Sequence, residues 1–173
     1  MRGSGVKRRA EEFAVFYEAS RDDCLRTVAA WTLDRAAAED LVAEAFARAW
    51  ASWKRVRVHP SPRAWVVRTA LNANISAWRR YRREQERSPA DAFAADPLSV
   101  DREQLDTDLL AALRRLPERQ RQVLALRVFL DLDVAQTASM LDIAEGTVNA
   151  HFWRALAHLR DELALTTRSE GRA

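Results

Sequence analysis

The stretch DVAQTASMLDIAEGTVNAHFWRALAHLR, residues 133–160, decides how the rest of this chain reads. Asp133 caps a short helix that runs to Leu141. Ala138 is small where two helices would touch. Asp142 stands at a turn that demands left-handed geometry, and Val148 can anchor a longer helix from about Glu145 to Leu165. These are the requirements of a helix-turn-helix, although aspartate fits the turn less well than glycine because its Cβ crowds the backbone there. The exposed face of the second helix would carry Thr147, Asn149, His151 and Arg154. An ordinary helical hairpin would satisfy the same pattern, so DNA binding stays open on this stretch alone.

Outward from it the pattern is helical almost throughout, with no strand-like alternation and no internal repeat. Upstream lie a helix opened by Leu116-Pro117, from Glu118 to Leu130, and another from about Arg102 to Arg115. Residues 88–101 carry two prolines and three acids and read as a linker. Before it, a first helix from about Glu11 to Trp31 has an apolar stripe of Phe13, Phe16, Tyr17, Cys24, Val28 and Trp31. A second, from about Arg35 to Trp53 and capped by Asp34, repeats Ala38, Leu41, Val42, Ala45, Phe46, Ala49, Trp50 and Trp53 at three- or four-residue spacing. Lys54 to Ser61 reads as non-helical. Ser61-Pro62 starts a third helix, reaching about Glu86, with Ala64, Val67, Leu71, Ile75 and Trp78 on one face. The expectation is an all-α chain of two small helical domains: residues 1–87, a linker over 88–104, residues 105–166, and a tail over 167–173.

Composition narrows the function. A single cysteine, Cys24, permits no intramolecular disulfide, and on its apolar stripe it reads as a small buried hydrophobe. Histidines at 59, 151 and 158 form no ligand cluster, so no metal site, cofactor or catalytic residue is expected. No apolar run is long enough to span a bilayer, and the basic start is followed by Glu11 and Glu12, not by a signal core. The chain reads as a soluble protein of a reducing cytoplasm, without membrane contact.

Charge is segregated. The net is +4 over residues 1–10, −5 over 11–53, +8 over 54–87, −5 over 88–112 and +1 over 113–173. A basic block beside an acidic one suggests a polyanion-binding surface next to a segment that avoids it. Arg79, Arg80, Arg82 and Arg83 surround the end of the third helix with few acids near them. Trp65, Trp78 and Tyr81 are interleaved and could stack on unpaired bases, although Trp78 lies on the apolar stripe and Trp65 lies off it. Asp40 and Glu44, four apart on the second helix, mildly repel one another, and their place in its first half offsets this through the macrodipole. Spacing by itself favours a structural role for that pair.

Three stretches resemble the extracytoplasmic-function (ECF) group of bacterial RNA polymerase sigma factors, within the sigma-70 family. Residues 38–50, AEDLVAEAFARAW, are similar to the family's polymerase-binding helix. Residues 62–72, PRAWVVRTALN, followed by Trp78-Arg79-Arg80, resemble its promoter-melting, −10-reading helix. Residues 116–124, LPERQRQVL, through Gly146-Thr147-Val148 to Leu159-Arg160, resemble its −35-reading domain. The likeness spans about residues 11–165 in order. The pattern around Trp78-Arg79-Arg80 and Arg154-Ala155-Leu156-Ala157 is nearest to a subgroup common in actinobacteria.

The resemblance implies roles for individual residues. Asp40, Leu41, Glu44 and Arg48 would bind core polymerase at the β′ clamp, which reverses the structural reading of that pair. Trp65, Arg68, Asn72, Arg79, Arg80 and Arg83 would contact the −10 strand, and Lys54 to Ser61 would capture a flipped base. Thr147, Asn149, His151 and Arg154 would face the −35 groove, Arg119 would face phosphates, and the second domain would bind the β flap. A flexible linker would let both promoter elements be read together, and would leave a surface for an anti-sigma factor. Two departures stand out: Asp142 and Ala144 replace the usual Gly and Ser, and Asn149-Ala150-His151 replaces Lys-Ser-Arg. Fewer bases there mean a smaller salt dependence. The competing readings are a stand-alone helix-turn-helix regulator with a dimerising N-terminal part, and an all-helical interaction module that binds no nucleic acid.

Overall fold

The computed structural model describes residues 3–85 and 111–170, and side chains within 6–73 and 111–162. The expected linker, most of the helix expected over Arg102–Arg115, and Gly171 to Ala173 lie outside the described residues. Every described element is helical: α1 (Gly3–Thr32), α2 (Arg35–Ala51), α3 (Trp53–Val56), α4 (Pro62–Gln85), α5 (helical at 111–115), α6 (Glu118–Leu124), a π turn (Ala125–Phe129), α7 (Val134–Leu141) and α8 (Glu145–Glu170).

Local chemistry accounts for the boundaries. Leu33 takes a left-handed φ of 58° between α1 and α2, and Asp34 then caps α2 by accepting from the Ala37 amide at 2.9 Å. Ser61 accepts the Trp65 amide on its carbonyl, with Pro62 in the first helical position where no amide is needed. Asp133 and Gln136 form a reciprocal capping box at α7, with bonds of 2.7 and 3.1 Å. Asp142 ends α7 at φ 54°, ψ 52°, the left-handed turn expected of it. Several stretches differ from expectation: α1 starts at Gly3 and not near Glu11, and Ala125–Phe129 is a π turn within the helix expected to Leu130. Trp53–Val56 is a helical turn, because Trp53 and Val56 are both buried and hold it on the core. The last helix continues past Leu165 to Glu170, through most of the expected tail.

The first module packs α1, α2 and α4 around Cys24, Val28, Ala38, Val42, Phe46, Val66, Val67 and Ala70. An aromatic group seals its α1–α2 edge: Phe13 lies 5.2 Å from the rings of both Trp50 and Trp53, and Tyr17 lies 4.9 Å from Phe46. The second module packs α6, α7 and α8 around Val123, Leu126, Leu130, Ala138, Leu141 and Val148.

The modules do not stand apart as a flexible linker suggests. The far side of α1 lies on α6 and the π turn, and Ala30 is buried with Leu113, Leu116, Leu124, Ala125 and Ala155. Apolar burial explains this. Each module leaves an apolar strip that its own few helices cannot cover, and the two strips close on each other through α1.

Candidate protein and nucleic-acid interfaces

Helix α2 buries Ala38, Val42, Ala45, Phe46 and Ala49 on one side. The opposite side carries Asp40 and Glu44, both exposed, with Leu41 half-buried between them. Arg48, one turn on, donates to Glu44 at 2.5 Å. This pair is about half exposed on both sides and so contributes little to stability. It does neutralise part of the negative ridge, leaving Asp40 as its fully uncompensated end among the described contacts.

Helix α4 buries Val66, Val67, Ala70 and Leu71. Arg68 and Asn72, four apart, point the other way and are exposed, while Trp65 on the same side is half-buried against the core. By helix geometry Arg79 and Arg83 fall on that same side and Arg80 on its flank. Their side chains, and that of Trp78, lie outside the described residues. The start of α4 is tied to α1 by Arg63, which pairs with Asp23 at 3.2 Å. Cys24 is fully buried beside that pair. Burial pushes its thiol up to about 12, with Arg63 pulling down and Asp23 pushing up more weakly.

The α3–α4 connection exposes Lys54, Arg55, Arg57 and His59, and Val58 stands 72% exposed at its tip. The His59 ring turns back onto the Ser61 backbone, within 3.1 Å of its amide.

In the second module α8 is held by Val148, Ala155 and Leu159. Thr147, Asn149 and Arg154 are exposed beside the turn that joins α7 to α8. His151 differs from expectation: it is half-buried, and its Nδ1 is enclosed without a partner, because its position turns toward the packed side of α8. Trp153 was missed by the sequence reading. It is 67% exposed, four residues after Asn149 and opposite Val148, and that spacing was the available signal. Phe152, beside it, is instead tucked under Arg127, whose guanidinium lies 5.4 Å from the ring. Arg119 is exposed at the start of α6 and donates to Gln122 at 3.2 Å. Among the described residues no group of His, Cys, Asp and Glu could hold a metal ion.

Comparison with known proteins assigns both modules. The family described as sigma-70 region 2 matches residues 16–84, and that described as sigma-70, region 4 matches residues 106–159. The RNA polymerase sigma-E factor of Streptomyces coelicolor is 31% identical over 154 residues, covering 88% of this chain and 86% of that protein. The RNA polymerase sigma factor SigV of Bacillus subtilis is 28% identical, covering 83% of this chain and 86% of that one. In fold, the chain resembles the sigma factor RpoE of Bartonella quintana, solved in complex with the anti-sigma factor NepR. The TM-score is 0.66 and the identity 24%, over 91% of this chain and 98% of that one.

Proposed function

The chain belongs to the sigma-70 family of RNA polymerase sigma factors, in its ECF group, and from that premise we propose a division of labour among its exposed faces. As a sigma factor it binds core RNA polymerase and directs promoter-specific transcription initiation through −10 and −35 elements. The negative ridge of α2, with Asp40, Glu44, Leu41 and Arg48, meets the basic surface of the β′ clamp. The outer side of α4, with Trp65, Arg68, Asn72, Arg79, Arg80 and Arg83, holds the opened −10 strand by phosphate pairing and base stacking. Thr147, Asn149 and Arg154 enter the −35 major groove with His151 at the edge of that face, and Arg119 reaches the flanking phosphates. The second module also binds the β flap.

No step in this reading makes or breaks a covalent bond on the sigma chain. The polymerase carries the chemistry, so the protein acts where the polymerase acts, in the cytoplasm. Among the described residues no helix is long and apolar enough to cross a membrane. An anti-sigma factor is a further partner in this reading.

The observation that carries the assignment is the acidic ridge of Asp40 and Glu44, exposed on the side of α2 away from the core, with Arg68 and Asn72 exposed on the adjacent α4. A dimerisation module needs neither, which disfavours the stand-alone regulator. Run-off transcription with purified core enzyme on a genomic fragment library tests it: the chain should program discrete start sites. Asp40→Ala with Glu44→Ala should abolish this and weaken co-purification with core enzyme, while the helical circular dichroism stays unchanged. Undiminished co-purification would remove the α2 ridge from the interface.

A further inference from the structure

Helix α1 begins at Gly3, almost three turns before its first stripe residue, Phe13. Among the described side chains of those turns Val6, Lys7, Arg8 and Ala10 are exposed and Arg9 is half-buried, so the core does not explain them. They are nevertheless held in place. The Arg9 guanidinium lies 4.6 Å over the Trp50 ring and donates to the Trp50 carbonyl at 2.5 Å. One turn on, Glu12 forms ion pairs with Arg8 at 3.4 Å and with Arg57 at 3.7 Å. A single carboxylate therefore draws together cations from two elements distant in sequence.

The result is a basic surface made by the start of α1 and by α3 with its following turn. Lys7, Arg8, Lys54, Arg55 and Arg57 are all exposed, and the acids of the same α1 turns are Glu11 and the shared Glu12. Lys7, Lys54 and Arg55 make no ion pair among the described residues. Long cationic side chains from two helices, with no acid in excess, suit a flexible polyanion better than a folded acidic protein, whose carboxylates would need matched positions.

We propose that the first turns of α1 and the α3 segment form a phosphate-binding surface that holds the promoter backbone next to the strand read by α4. This rests on the DNA-binding reading of α4 above. Lys7 and Arg8, set apart from the Lys54–Ser61 stretch, meet phosphates and not base edges, so they add affinity at every promoter equally. Arg9 on Trp50 anchors the surface, and Glu12 is the competitor that DNA must displace from Arg8 and Arg57.

The test is binding of the reconstituted holoenzyme to promoter fragments across a range of salt concentrations. Lys7→Ala with Arg8→Ala should weaken binding to strong and weak promoters by the same factor. It should lower the slope of log affinity against log salt by about 1.5, as expected for two lost phosphate contacts, with core-enzyme binding unchanged. Glu12→Gln should act oppositely, raising affinity and steepening the slope, which a misfolded variant would not do. Unaltered affinity and slope in both variants would overturn the proposal, as would weakened core-enzyme binding, which would assign the surface to the polymerase. If the wild-type holoenzyme itself bound no promoter, the DNA-binding reading would fail first, separately from this one.

Discussion

Asp142 shows what one backbone position demands. Its φ of 54° ends α7, and its amide and that of Ile143 both reach the Ala138 carbonyl. Closing the turn requires the left-handed conformation, which costs an L-residue more than it costs glycine. The side chain is exposed and forms no hydrogen bond or ion pair among the described residues. Asp142→Gly should therefore stabilise the fold by up to ~1 kcal/mol, seen as a raised melting temperature; a lower one would mean that the aspartate contributes something the turn geometry does not. Cys24 gives a second expectation at this scale. Its thiol is fully buried and raised to about 12 from an ordinary 9.0. The folded state therefore holds a proton that the unfolded chain releases above pH 9, so the stability this thiol contributes is present below pH 9 and is lost as pH rises from 9 toward 12. At pH 8 the native thiol should not react with a disulfide reagent until denaturant is added. Rapid native reaction would mean that α1 and α4 open there.

At the scale of elements, α4 is a rod with one side in the core and one side charged. Val66, Val67, Ala70 and Leu71 fix its rotation, and that rotation turns Arg68 and Asn72 outward. Arg79→Ala with Arg80→Ala should leave duplex promoter binding largely intact but reduce opening, measured as permanganate reactivity of −10 thymines; normal reactivity would take these two residues out of strand capture. Helix identities and caps were legible here because each is a local event: Asp34, Ser61-Pro62 and Asp133 satisfy amides within their own first turn. The turn at Trp53–Val56 was not legible. A short stretch interrupted by Pro60 reads as loop, and only the burial of Trp53 and Val56 on the core makes its first turn helical. His151 turned inward for the same reason: polarity assigned histidine outward, while the rotation of α8 on Val148 and Ala155 half-buries it and leaves Trp153 exposed.

At the scale of the molecule, α1 belongs to both modules. Ser20, Thr27 and Ala30 are buried along it although none reads as a core residue. Thr27 escapes an unpaired hydroxyl by donating to the Asp23 carbonyl at 2.7 Å. Small and self-satisfied residues let α6 and the π turn approach closely. In this closed arrangement the contact is apolar, so a charge placed in it should drive the modules apart and not unfold either one. Ala30→Glu should increase the radius of gyration in small-angle scattering with helical content retained. An unchanged radius would mean that the contact tolerates the charge or is rarely occupied.

The order of residues alone determined the helices other than the turn at Trp53–Val56, their caps, the helix-turn-helix and the segregation of acid from base, because these depend on neighbours within one or two turns. The packing of one module on the other through α1, the burial of Thr27 and Ala30, and the meeting of Arg8 with Arg57 at Glu12 were decided only by the tertiary structure. Each joins groups far apart along the chain, and small or polar side chains carry no periodic signal of what will come to rest on them.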